Sequence, residues 1–270
     1  MKSHVKSILP APVFSRLRNL RFRVAGFTQN ARAAGKLLRT GRSCPLGVSQ
    51  FGDFAVAYRV GTSDESVIAH SFDNDIFLKS VPEYIPMSDH VILDVGAHIG
   101  TFTLIVGSKV KDGKVYAIEA SSETFNFLRI NVALNGLKNV VASHVCLADR
   151  VGRTILYHDL VGGNWGHTIT KRLSHIGEEV QTETLRGYLE RGGIERVDFA
   201  KFNCEGAEFP ILIASSRDTL SKIRSMLILY HCDLVSDYSL DDLIQHLRES
   251  GFNTRVFNQS MERGWIFARQ

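Results

Sequence analysis

Val91-Ile-Leu-Asp94-Val-Gly96-Ala-His98-Ile-Gly100-Thr-Phe-Thr-Leu104 is the stretch on which the reading of this chain turns. Val91, Ile92 and Leu93 form a short apolar run with β-branched character, bounded by a glycine turn. Beyond Gly100 the apolar positions Phe102, Ile105 and Val106 fall at helical spacing. A strand, a tight loop and a helix are expected. Gly96 and Gly100 lack a Cβ, so a ligand can approach the loop backbone closely, and the helix N-terminus behind it offers unpaired N–H groups.

Asp94 puts a carboxylate where the strand ends, which repels a bare pyrophosphate but suits a ligand carrying a cationic amine. That points away from NAD and towards S-adenosylmethionine. The spacing agrees. A dinucleotide fingerprint reads G-x-G-x-x-G, whereas the residue two after Gly96 is His98 and the next glycine is Gly100. A nicotinamide oxidoreductase is therefore disfavoured.

The following apolar run, Lys114-Val-Tyr-Ala-Ile-Glu119-Ala120, reads as a second strand ending in an acid about 25 residues beyond Asp94. A carboxylate there can accept hydrogen bonds from both vicinal hydroxyls of a ribose; the alternative is an exposed surface glutamate. A helix capped by Ser121 or Ser122 and stopped by Gly136 follows, then a third strand over Asn139–Leu147. That strand ends near Asp149, which would flank an adenine or simply shape a turn.

Val197-Asp-Phe-Ala-Lys-Phe-Asn203-Cys-Glu205-Gly-Ala-Glu208 gives a fourth strand, a turn at Gly206 and a helix from near Ala207. In a doubly wound sheet ligands bind outside the carboxyl ends of the strands, so Asn203, Glu205 and Glu208 are expected at the methyl end of the cofactor. The competing readings are that Glu208 satisfies a helix N-terminus and Glu205 closes the turn. Met226–His231 is a fifth, continuously apolar strand; His231 at its tip is either a core histidine or a pocket group. Among these residues His231 is favoured near a reacting proton, since its ordinary pKa lies nearest neutrality. No metal is expected, because hard cations want more oxygen ligands than Glu205 and Glu208 offer.

The remaining chain divides into a basic N-terminal leader (1–48), accessory elements (49–88) and the main domain (89–270). Strands are expected over Ser49–Phe72 with a turn at Gly61–Glu65, and a helix over Asn74–Tyr84. Ile155–Tyr157 reads as a strand, and Gly162–His167 as a glycine-rich loop in which Trp165 covers substrate or plugs a packing gap. A capped helix over Ser239–Gly251 precedes two closing strands, Phe252–Phe257 and Trp265–Arg269, antiparallel because their connection is too short for a crossover.

Ten basic side chains and no acid precede Asp53, leaving 22 basic groups against all 28 acids in the rest. An acidic body has no electrostatic footprint for nucleic acid, and none is expected as a partner. Leu17, Leu20, Val24 and Phe27 lie at helical spacing opposite much of the leader's charge. This suits an amphipathic helix at an anionic membrane surface or an acidic partner, a transit peptide, or a loosely packed leader. No apolar run is long enough to cross a bilayer, and the four scattered cysteines read as reduced thiols, so a cytoplasmic and at most membrane-peripheral protein is expected.

Taken in order, the Asp-Val-Gly-Ala-His-Ile-Gly loop, the Val-Tyr-Ala-Ile-Glu strand, the Asn131-Val-Ala-Leu-Asn135-Gly helix end and the Lys-Phe-Asn-Cys-Glu-Gly-Ala-Glu turn resemble the FkbM-type methyltransferases over roughly residues 90–232. The resemblance implies a class I methyltransferase (Rossmann-like) α/β fold, its doubly wound sheet mostly parallel with an antiparallel C-terminal strand. It implies S-adenosylmethionine as cofactor and O-methylation of a hydroxyl on a sugar, glycan or secondary metabolite. Matching positions make Asp94, Gly96, Ala97, Gly100 and Glu119 cofactor contacts, with His98, Ala120 and Asp149 beside them. Three family acids are replaced, by Asn203, Arg186 and Leu229. An amide orients a hydroxyl but cannot take its proton. The alternative is thus a catalytically impaired relative serving as a cofactor- or partner-binding module.

Overall fold

The computed structural model describes residues 46–73, 76–159, 166–260 and 262–270. The expected leader helix, Cys44 and Trp165 lie outside them. A hairpin of β1 (Leu46–Phe51) and β2 (Phe54–Arg59) leads through α1 (Asp64–Ile68) and a π turn (Ala69–Asp73) to β3 (Val91–Val95), α2 (Thr101–Gly107), β4 (Lys114–Glu119) and α3 (Ser122–Leu134). Next come β5 (Val140–His144), β6 (Cys146–Leu147), β7 (Gly152–Tyr157), β8 (Gly177–Glu183), α4 (Leu185–Arg191) and β9 (Phe199–Phe202). The chain closes with α5 (Glu208–Ile213), α6 (Arg217–Ser221), β10 (Ser225–His231), α7 (Leu240–Glu249), β11 (Asn253–Ser260) and β12 (Arg263–Arg269).

Seven strands make one sheet in the order β11-β12-β10-β9-β3-β4-β5. Pairing is parallel from β10 through β5, and β12 runs antiparallel between β10 and β11. This is the doubly wound α/β sheet that the sequence implied. The central strands are apolar on both faces because helices cover both. On one side Phe102 and Val106 of α2 pack with Phe77, Phe199 and Trp265; on the other, Leu185, Leu212, Leu243 and Leu247 pack against Leu93, Phe202 and Ile228. From β3 the chain goes first to β4 on one side and later to β9 on the other, so the switch in strand order lies between β3 and β9. A crevice opens at such a point, beyond the carboxyl ends of the strands.

The accessory hairpin is tied to the main domain by two amides. Asn131 Oδ1 accepts from Ala57 N at 2.7 Å, and its Nδ2 donates to Ala57 O at 3.0 Å and to Ile99 O at 2.8 Å. Asn135 repeats the pairing one turn on, accepting from Ala55 N at 3.0 Å and donating to Ala55 O at 2.7 Å. Side chains four apart share a helix face, and residues two apart share a strand edge. The two asparagines therefore complete β2 as a neighbouring strand would.

Several local expectations are corrected. The hairpin turns at Gly52-Asp53, and residues 64–73 are helical where strand was expected. Asp64 draws the chain inward there by accepting from Arg59 N and from the Arg59 guanidinium, at 2.8–2.9 Å. Residues 76–83 form turns, not a helix, although Phe77, Val81 and Tyr84 still reach the core. The third strand breaks at Val145: β5 stays in the main sheet, while β6 joins a three-stranded sheet with β8 and β7. Among the described residues no helix is long and apolar enough to cross a membrane.

Asn131 is fully buried and satisfies three backbone groups. Asn131→Ala is expected to lower stability by about 2–4 kcal/mol in urea denaturation, through buried peptide groups left without partners. Asn135→Ala, at a more exposed position, should cost less.

Candidate functional site

The crevice is a cavity of about 860 Å³, mouth included, lined by the loop after β3, the tips of β4 and β9, the β6 segment, α2 and the accessory elements. Gly96, Ala97, His98, Glu119, Ala120, Asn203 and Glu205 all stand on its wall. The Gly96 loop is pressed against the end of β9: at φ +73°, a Cβ on Gly96 would lie 1.9 Å from the Asn203 carbonyl oxygen. Only glycine fits a backbone turned and crowded in this way.

Glu119 is held from behind, its two oxygens accepting from His98 N at 2.8 Å and Ser121 N at 2.9 Å. Burial pushes its pKa up, and those two N–H groups offset part of the shift. His98 takes φ +54° to deliver its N–H. Its ring stands with Nε2 3.4 Å from Asp64 Oδ1, but neither ring nitrogen has a hydrogen-bond partner. Burial lowers its pKa to about 3 and that of His167, also on the wall, to about 4, so both are neutral near pH 7.

Asp94 is placed differently from the expectation that it meets the ligand's amine. Fully buried and off the cavity wall, it accepts from Thr103 Oγ1 at 2.6 Å and Lys201 Nζ at 3.0 Å. Gly100 caps α2 at φ +91° against Leu128 and is likewise off the wall. Asp149 is not brought to the site. Where β6 leaves the main sheet it carries Asp149 to a separate depression beside Thr184, with Arg150 3.2 Å away, and leaves Cys146 and Leu147 on the wall.

The β9 turn sets two carboxylates at different depths. Glu208 is fully buried and accepts from Cys204 N at 2.6 Å and Gly206 N at 2.8 Å, so it holds the turn together. It also lies 3.1 Å from His231 Nδ1. Glu205, at φ +50°, is among the residues that line the cavity, and its Oε2 lies 3.5 Å from His231 Nε2 and 4.0 Å from Arg263 Nη1. Burial lifts the pKa of Glu205 to about 7 against the opposing pull of His231. Whereas Glu205 is among the residues that line the cavity, His231, expected nearest a reacting proton, is buried and off the wall. Its own pKa is displaced against burial, which lowers it, by Glu208 and Glu205, and ends raised.

Sequence reasoning missed Lys201. It is 3% exposed on central β9, register-paired with Asp94, and its Nζ donates to Asp94 and to Gly96 O at 2.7 Å while lining the cavity. A lysine inside an apolar parallel strand was the available signal. Cys146 and Cys204 also line the cavity. Burial pushes the Cys146 thiol up to about 12 and the Cys204 thiol well up, so both stay un-ionised.

A family model for the methyltransferase FkbM domain matches residues 94–254. The chain belongs to this family. FkbM methyltransferases are S-adenosylmethionine-dependent, and the cavity fits that cofactor: it has a glycine cradle, a strand-tip carboxylate, and at Asn203 Oδ1 a buried acceptor with no partner. Among relatives, Methyltransferase 1 of Beauveria bassiana is 25% identical over 225 residues, 76% of this chain and 88% of that protein. Methyltransferase sdnD of Sordaria araneosa is 26% identical over 171 residues, 52% of this chain and 66% of that one. The crystal structure of methyltransferase FkbM from Methylobacillus flagellatus aligns with a TM-score of 0.48 at 14% identity, over 70% of this chain and 45% of that one.

The folded FkbM domain holds the Glu205 proton to about pH 7, while an unfolded glutamate releases it near 4.5. Ionising Glu205 therefore costs stability across that window. Glu205→Gln, which cannot ionise, is expected to gain about 1–3 kcal/mol relative to the native protein between pH 4.5 and pH 7.5, read from urea melts at both pH values.

Proposed function

We propose that this FkbM methyltransferase is an O-methyltransferase, acting on a hydroxyl of a sugar, glycan or small secondary metabolite. The observation that carries this reading is Glu205, a carboxylate on the cavity wall whose burial brings its pKa to about 7. A general base works best with a pKa near the operating pH.

Bound in the cavity, S-adenosylmethionine supplies an electrophilic methyl on a sulfonium centre. Glu119, oriented by the N–H groups of His98 and Ser121, would hold the ribose hydroxyls, and Ile118, Leu147, Leu156 and Ile169 would offer the base apolar walls. The acceptor hydroxyl must lie in line behind the methyl, so positioning and exclusion of water supply much of the rate. Glu205 takes the hydroxyl proton as the oxygen attacks. His231 backs Glu205, and Glu208 fixes His231 through Nδ1.

Because Glu205 can fill the role of proton acceptor, Asn203 in place of the family aspartate is no argument for an impaired protein. The neutral rings of His98 and His167 on the same wall favour an uncharged, hydroxyl-bearing acceptor over an acidic one.

Incubating the protein and isotopically labelled S-adenosylmethionine with a host extract should transfer label to a hydroxyl-bearing compound, identified by mass spectrometry; label on nitrogen or carbon alone would overturn the reading. With that acceptor, kcat is expected to rise with pH through about 7 as Glu205 ionises. Glu205→Gln should lower kcat about 10²–10⁴-fold with cofactor affinity kept. Glu119→Gln, which retains one oxygen acceptor, should instead weaken S-adenosylhomocysteine binding about tenfold in calorimetry.

A further inference from the structure

Two polar groups at the end of β9 keep hydrogen-bonding capacity in hand, and they are of opposite kind. Lys201 lies in β9 and Asn203 is the residue just past its end, and both line the cavity. An ammonium has three N–H donors. Two of those on Lys201 Nζ go to Asp94 Oδ1 and Gly96 O; the third has no oxygen or nitrogen acceptor among the described residues, and the ammonium stands 5.6 Å from the centre of the Phe77 ring. Asn203 Oδ1 is buried with no donor. A buried acceptor left in this state is costly unless a ligand completes it.

We propose that Lys201 and Asn203 form the subsite for the amino-acid end of S-adenosylmethionine, Lys201 Nζ taking its carboxylate and Asn203 Oδ1 its ammonium. The proposal rests on the cofactor assignment and is independent of which acceptor is methylated. Charge supports it. Asp94, the obvious partner for an ammonium, is already committed to Lys201 and Thr103. That pair is neutral overall, and a zwitterion adds no net charge to a dry site. An anionic ligand would leave Asn203 Oδ1 unpaired, and a cationic one would meet Lys201 uncompensated.

Position supports it too. Glu119 and Asn203 stand at the ends of the strands on either side of β3, about 10 Å apart across two inter-strand spacings. A molecule gripped by its ribose at Glu119 and by its amino acid at the end of β9 would span the Gly96 loop, which lines the cavity between them.

The test is calorimetric and needs no acceptor. S-adenosylhomocysteine carries the amino-acid end, and 5′-methylthioadenosine lacks it. The native protein should bind the first at least about tenfold more tightly. Asn203→Ala should weaken S-adenosylhomocysteine about tenfold while changing 5′-methylthioadenosine by less than about twofold. Lys201→Met alone would strand the Asp94 charge, so the paired change Asp94→Asn with Lys201→Met is used. It should cost S-adenosylhomocysteine about ten- to a hundredfold and again spare the truncated ligand. If the paired variant does not fold, the native comparison and Asn203→Ala decide. Equal native affinities, or losses shared by both ligands, would overturn the subsite and leave the cofactor assignment standing. Failure of the native protein to bind either ligand would remove both.

Discussion

Two buried charges hold the centre of this molecule. Asp94 on β3 and Lys201 on β9 are register partners on adjacent parallel strands, 0% and 3% exposed, with a 3.0 Å contact between them. Bringing two ions out of water costs several kcal/mol each, so such a pair adds little net stability over an apolar substitute, whereas removing one partner is severe, about 3–5 kcal/mol. What the pair provides is location. Lys201 also bonds Gly96 O, so the same ammonium that neutralises Asp94 fixes the loop after β3 against the end of β9. The crevice lies across that junction.

From there the site is built outward by backbone N–H groups instead of by long side chains. The left-handed residue His98 turns its N–H onto Glu119, and the left-handed Glu205 precedes Gly206, whose N–H is taken by Glu208. Non-glycine residues in that region carry strain that persists only where the surroundings impose it. Here both belong to the cavity wall. Each carboxylate at the strand tips is thereby sorted by depth: Glu208 consumed by the turn, Glu205 beside the cavity with His231 and Arg263 near it, Glu119 fixed from behind.

The accessory hairpin belongs to the same system. Asn131 and Asn135 pair with β2, while Arg59 and Asp64 bring a buried ion pair beneath the His98 ring. A resemblance could register Asn131 and Asn135 as a motif, but their work is visible only once α3 lies beside β2, 74 to 80 residues earlier in the chain.

The sequence by itself determined the doubly wound sheet, the Gly96 loop, the strand-tip acid Glu119 and, through the ordered motifs of the family and not through Asp94, the adenosyl cofactor. These depend on local signals: apolar runs with a fixed period, glycines at a turn, an acid a set distance on. It misjudged residues 64–73 and 76–83, where an ion pair and tertiary packing overrode the apolar pattern, and it carried the third strand past its break at Val145. Only the tertiary structure decided which of the polar residues at the sheet's edge reach the cavity. Asp94 turned inward because Lys201 lies across from it, His231 fell behind Glu205, and Asp149 left with β6. Each of those outcomes depends on a partner far away in the chain, and no spacing within one segment records it.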